Sequence, residues 1–296
     1  MKTFLLPYIF AGFFLAQCAG NQVPLHRLPK PDHIVIVIEE NHGYDQIIGS
    51  DGAPYINQLA DRGALFTNAH GVTHPSQPNY LALYAGSIEG VTDDHCLAGE
   101  TPYHSKNLGW SLIHSGDNFT GYSETMKTAG DLSCGYGQNK YAGGSPLYAR
   151  KHNPWVDWQG TGKHNIPPET NQPLRSFPDN FSNLPTVSFV IPNEDHDMHN
   201  GKGGEPIKEG DTWLKNHLDS YVKWAKDHNS LLIITYDEDN NTPQNHIPTI
   251  FVGPMVKPGK YDMKIDHFNV LRTIEGMYGL EKSGSAKADV ITGVWK

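Results

Sequence analysis

Ser76 stands between Pro75 and Pro78 in THPSQPNYLALYAG, residues 73 to 86, just ahead of an apolar run. Pro78 suits the first turn of a helix, so the spacing puts Ser76 at or just before a helix N-terminus. Free backbone amides and the helix dipole there favour a phosphate group or a developing alkoxide, which makes Ser76 either a nucleophile or a plain helix cap. Acidic and imidazole residues gather in four other places: Glu39, Glu40, Asn41 and His42; the run PNEDHDMHNG from residue 192; DEDNN from Asp237; and His246. A ring of carboxylates on one edge of a fold would repel itself unless a cation sat among them. A cation beside Ser76 would activate its hydroxyl.

The elements that must position these groups follow from hydrophobic period. HIVIVI (33–38) is a β-branched run of the kind buried on both faces of a sheet. APYINQLADRG has helical spacing and stops at Gly63, ALFTNAH reads as a strand, and a helix follows Ser76. Strands are predicted at 186–191, 231–236 and 248–252, and helices at 211–229 and 266–279. This alternation predicts an α/β fold with a mostly parallel central sheet sandwiched by helices, a single domain over residues 30–285. Between residues 95 and 180 the chain is rich in Gly, Asn, Pro, Tyr and Trp. NLGWSLIHSG and NFTGYSE there read as one or two α/β elements, with a loop-rich insertion at about 130–180 of the kind that often caps an active site. In open parallel sheets ligands bind beyond the carboxyl ends of the strands, and the acidic clusters all fall at strand ends expected on one edge.

Bulk composition sets the limits. The chain has 296 residues, 38% of them hydrophobic, enough for a sizeable core. With 23 basic against 32 acidic residues the net charge is −9, which argues against a nucleic-acid partner. Residues 1–20 read as a signal peptide: Lys2 supplies the positive end and Phe4 to Ala16 an apolar region too short to be trusted as a membrane span. Cys18, in LAQC, resembles a lipoprotein cleavage site, although Gln17 is an unusual residue before it. The expected location is therefore outside the cytoplasm, secreted or periplasmic, with membrane contact only if Cys18 is lipidated, and no protein partner is expected. Without Cys18 two cysteines remain, Cys96 and Cys134, which in an oxidising compartment form a disulfide or otherwise stay as buried thiols.

Taken together these residues resemble the alkaline phosphatase superfamily, and within it the phosphoesterase family of exported acid phosphatases and phospholipase C enzymes. VIVIEENHGYDQIIG, THPSQPNYLALYAG, IITYDEDNN and NHIPTIFVGPMVKPG carry the resemblance, over roughly residues 32–90 and 186–280. It implies Ser76 as nucleophile, Asn79 as a donor to the phosphoryl oxygens, and one divalent metal held by Glu40, Asn41, Asp237 and Glu238. A protonated histidine, His199 in first place, would serve the leaving group. Two-metal members of the superfamily usually carry Asp after the first strand and an Asp-His pair later, from which this chain departs. Asp195 and His199 nevertheless keep the spacing of a second-metal motif, so Asp195, His196 and His246 form a candidate second metal, phosphate or leaving-group site. One or two ions fit, and the ligand types admit iron, manganese, calcium, magnesium or zinc. Tyr80 stands where sulfatases need arginine, which argues against sulfate esters. The expected activity is hydrolysis of phosphate monoesters, lipid headgroups among them, through a phosphoserine. The competing readings are a phospholipase C-type phosphodiesterase and a non-enzymatic exported protein that binds metal or phosphate.

Overall fold

The computed structural model describes residues 28–97, 99–284 and 287–296. The expected signal segment and Cys18 lie outside the described residues. The strands are β1 (His33–Glu39), β2 (Ala64–His70), β3 (Phe119–Ser123), β4 (Gly135–Tyr136), β5 (Tyr148–Ala149), β6 (Asn171–Pro173), β7 (Val187–Ile191), β8 (Ser230–Tyr236), β9 (His246–Val252), β10 (Gly259–Tyr261) and β11 (Ile265–Asp266). The helices are α1 (Tyr44–Ile47), α2 (Pro54–Arg62), α3 (Ser76–Ala85), α4 (Leu108–Ser115), α5 (Glu205–Ala225) and α6 (His267–Tyr278).

Nine strands form one sheet in the order β10-β2-β9-β8-β1-β7-β3-β6, with β11 also paired to β2. All run parallel except β9, which is antiparallel to both β8 and β2. β1 lies at the centre, Ile34 facing Val187 on one side and Leu231 on the other, and Ile34 to Val37 are 0% exposed. Flanking strands and covering helices leave β1 no wet face, which is why its sequence is an unbroken apolar run. Helix α2 packs with α5, while α3, α4 and α6 pack together, so two groups of helices sandwich the sheet. All ten residues of α3 are buried, and a helix enclosed on every side has no need of a polar stripe.

Two elements differ from expectation. The helix expected at 211–229 runs from Glu205 to Ala225, with Pro206 in its first turn. Gly210 lies inside the helix, where a Cβ would come within 2.6 Å of the Met198 side chain. Tertiary packing demands the glycine and overrides its weak helix propensity. Strand β9 begins at His246, two residues early, where it pairs with His70 of β2.

Residues 130–180 hold the ribbon β4–β5, several short 3-10 turns and the edge strand β6. One turn, Pro154–Trp158, is clamped to the sheet because Gly121 of β3 leaves room for Trp155; a Cβ at Gly121 would lie 2.1 Å from that indole. Cys96 and Cys134 form a disulfide that ties this segment to the chain leaving α3.

Candidate active site

Strands β1, β7 and β8 end side by side, and the side chains that follow them meet the N-terminus of α3. Ser76 is the first residue of that helix. Its Oγ donates to Glu40 Oε2 at 3.1 Å, and the Asp237 carboxyl lies close by. The same Glu40 oxygen accepts from Asn41 Nδ2 at 2.8 Å, and its other oxygen accepts from the Tyr80 hydroxyl at 2.6 Å. Asp237 Oδ1 accepts from the Asn41 amide at 3.2 Å. Glu238 Oε2 faces His74 Nδ1 at 2.9 Å and Asn79 Nδ2 at 3.4 Å.

Sequence therefore brought Ser76, Glu40, Asn41, Asp237 and Glu238 to one place, and the fold joins them. Asn79 is adjacent, but most of its amide is engaged in the turn before Ser76. Its Oδ1 accepts from the Val72 and Thr73 amides at 2.8 and 3.1 Å, and its Nδ2 donates to the Thr73 and Pro75 carbonyls. In this geometry Asn79 holds the loop before Ser76 rather than reaching freely toward a ligand.

The loop after β7 divides the remaining candidates. His199 lies at the rim, about a quarter exposed, with Nδ1 2.8 Å from Glu194 Oε2. Asp195 turns the other way, accepting from Asn200 at 2.8 Å and from the Lys140 amide at 3.2 Å. His196 pairs with Glu124 at 2.9 Å beside Trp213. His246 contacts the Thr67 carbonyl at 3.1 Å and stacks on Tyr44. These three residues do not converge, so the arrangement offers no second site built from them.

Sequence reasoning passed over several groups. His152, from the short turn Arg150–His152, brings Nε2 to 3.0 Å from Glu40 Oε1 and stacks on Tyr80. Glu194 and Asp197 point inward, and among the described residues His152, Glu194 and Asp197 are the trio whose ligand atoms all lie within 4.8 Å of one another. Lys151 pairs with Asp94 at 2.9 Å, and Asp94 in turn accepts from the Gln77 amide at the start of α3. Glu194 and Asp197 could have been found in EDHD, since three of its four residues are acids; nothing in RKHNPW marked His152.

The electrostatics are those of a site with excess negative charge. Burial, then Glu40 and Glu238, push the Asp237 carboxyl well above the usual range. Burial and Glu40 raise Glu238 to about 7. Burial also raises Glu40, against the nearby cations Lys151 and His199. For His199 burial opposes the charge, but Glu194 outweighs it and lifts the imidazole to about 9. Burial, with Lys151 and His199 nearby, holds His152 well below its usual value, in the neutral form. Asp237 Oδ2 is buried with no hydrogen-bond partner. Hard oxygen donors, an orphaned carboxylate oxygen and mutual repulsion together fit a divalent cation beside Ser76.

The family profile for the phosphoesterase family matches residues 50–281. The chain belongs to the phosphoesterase family. A relative named phosphatidylinositol-3-phosphatase, from Mycobacterium tuberculosis, is 45% identical over 97% of this phosphoesterase and 92% of the relative's own length. An acid phosphatase of Aspergillus fumigatus is 27% identical over 83% of this chain, which spans 54% of the fungal enzyme. This kinship places the phosphoesterase among phosphoric monoester hydrolases. A solved structure from Vibrio parahaemolyticus, a protein in the alkaline phosphatase superfamily, superposes with a TM-score of 0.58 at 14% identity, covering 86% of this chain and 68% of that one. That likeness carries the fold alone, and it agrees with the sheet and helices found here.

Proposed function

We propose that this phosphoesterase is an exported, metal-dependent phosphomonoesterase that works through a phosphoserine, with phosphoinositide headgroups among its substrates. The observation that carries the reading is the Ser76 hydroxyl at the first turn of α3, 3.1 Å from a buried carboxylate. Glu40, Asn41, Asp237 and Glu238 would hold the metal, which when bound supplies a Lewis acid that lowers the pKa of the hydroxyl and offsets phosphoryl charge. Ser76 Oγ attacks phosphorus in line, and the bond from phosphorus to the leaving oxygen breaks. Glu40 accepts a hydrogen bond from the nucleophile before attack, and the positive end of α3 favours the charge that gathers on the phosphoryl oxygens. Lys151, held by Asp94, adds a fixed cation near the same helix start.

His199 is kept protonated by Glu194 and lines an open groove of about 450 Å³ with Tyr141, Ser145, Asn200 and Lys202. It would give its proton to the leaving alkoxide, and water would then release phosphate from Ser76. A groove of this openness suits an inositol or other polar alcohol attached to a larger body. The relative named for phosphatidylinositol 3-phosphate supports that class of substrate. Export is supported by the apolar N-terminal stretch and by the Cys96–Cys134 disulfide.

The test compares a phosphate monoester with a matched diester, using the wild type and Ser76→Ala, with metal content measured in both. Monoester turnover lost in the variant at unchanged metal content, together with a phosphoserine trapped by acid quench in the wild type, is the expected result. Full activity in Ser76→Ala would reduce Ser76 to a helix cap and overturn the reading.

A further inference from the structure

His152, Glu194 and Asp197 are 1%, 1% and 0% exposed. His152 Nδ1 lies 3.6 Å from Glu194 Oε1 and 3.5 Å from Asp197 Oδ2. Those separations are too long for hydrogen bonds. On the far side of the ring, Nε2 is 3.0 Å from Glu40 Oε1, the nearest carboxylate oxygen to either ring nitrogen, in a contact without hydrogen-bond geometry, and a ring proton on Nε2 would face that oxygen. Nδ1 then presents a lone pair to two carboxylate oxygens that have no hydrogen-bond partner of their own. Three buried acceptors face one another with no donor between them.

From this we infer a divalent-cation site at His152 Nδ1, Glu194 Oε1 and Asp197 Oδ2, separate from the oxygen site beside Ser76. Neighbouring ligands in a tetrahedral shell with bonds of about 2.1 Å stand about 3.4 Å apart, close to the spacings found. Other contacts orient the ligands as metal sites require. Asp197 Oδ1 accepts from the His199 amide at 2.9 Å, and the Asp197 carbonyl accepts from the Glu40 amide at 2.7 Å. Tyr80 stacks on the imidazole with ring centres 4.8 Å apart, and Glu40 Oε1 is the carboxylate oxygen nearest Nε2. One nitrogen with carboxylates selects manganese, iron or zinc over calcium and magnesium. His199, paired with Glu194 and lining the groove, marks the side from which the ion enters. The ion ties the turn Arg150–His152 to the loop after β7, and so holds His199 in place. The inference does not depend on the role proposed for Ser76.

The oxygen site contains no imidazole, which lets one experiment separate the two. Metal-free full-length protein is titrated with manganese(II), bound equivalents are counted, and electron spin-echo modulation is recorded for nitrogen bound directly to the ion. The wild type is expected to show imidazole nitrogen. Asp197→Asn and His152→Gln are each expected to lose that signal and one equivalent, while Ser76→Ala and Asp237→Asn keep the signal. Absence of nitrogen coupling in the wild type, a measurement that needs no variant, overturns the site. So does coupling of undiminished strength in Asp197→Asn, which would assign the nitrogen to a surface histidine and leave the buried trio sharing a proton. An unchanged equivalent count in Asp237→Asn with the nitrogen signal intact would sink the oxygen site and support this one.

Discussion

At the scale of single residues, the site depends on Glu40 being held by several donors at once. Tyr80 supplies the shortest of these, at 2.6 Å. Hydrogen bonds to a buried carboxylate are worth about 1.5–3 kcal/mol, so Tyr80→Phe is expected to lower kcat/KM on a monoester by roughly tenfold to a hundredfold. Steady-state kinetics at constant metal content checks this, and a change below about threefold would mean that Tyr80 only fills space. His199 gives a prediction about pH. Burial opposes its charge, but the hydrogen bond and charge of Glu194 raise it to about 9, above the unfolded value of about 6.5. Its contribution to stability is thus fully present below pH about 6.5 and is lost as pH rises through about 9. In the metal-free protein the melting temperature should fall across that window in the wild type and run flatter in His199→Asn.

At the scale of elements, the turn that carries His152 is placed by a strand it does not belong to. Gly121 of β3 admits Trp155, and Gly121→Ala would drive a methyl into that ring. Overpacking of this kind costs about 1–3 kcal/mol, and the displaced turn would move His152 away from Glu40. Denaturant unfolding should show the loss of stability, and activity should fall further than the fraction unfolded explains. The loop before α3 has a similar dependence on Asn79, whose carbonyl oxygen receives two backbone amides. Asn79→Ala leaves those amides without a partner at about 1–3 kcal/mol, and it should lower kcat more than it raises KM because Ser76 is misplaced rather than removed. An intact kcat would show that Ser76 is positioned by α3 alone.

At the scale of the whole molecule, the sheet edge gathers groups from β1, β7, β8 and α3, and residues 130–180 supply the rest from outside. The Cys96–Cys134 bond, spanning 38 residues, is the covalent tie on that outer segment. By chain-entropy reasoning a closure of that length stabilises by about 4 kcal/mol. Reduction, or replacement of both cysteines by serine, should lower the melting temperature and expose the segment around Lys140 to protease before the sheet unfolds. Simultaneous loss of both would show that the insertion and the sheet unfold as one unit.

What the sequence determined by itself is what short-range pattern controls. Two prolines around Ser76 are enough to place a hydroxyl at a helix start, and apolar runs such as HIVIVI and LLIITY are enough to place Glu40 and Asp237 just beyond parallel strands. Those residues follow from backbone geometry within a few positions, so no long-range information was needed. Tertiary structure alone decided which acids of EDHD face inward. Glu194 and Asp197 are buried against His152, Asp195 is held by Asn200 and the Lys140 amide, and Met198, in a left-handed conformation at φ 79°, packs on Gly210 just beyond them. It also brought His152 to Glu40 from a stretch with no periodicity, through Trp155 seated on Gly121. The physical reason is that the inward side of a loop is set by the surfaces it packs against, and those surfaces come from chain segments far away in sequence.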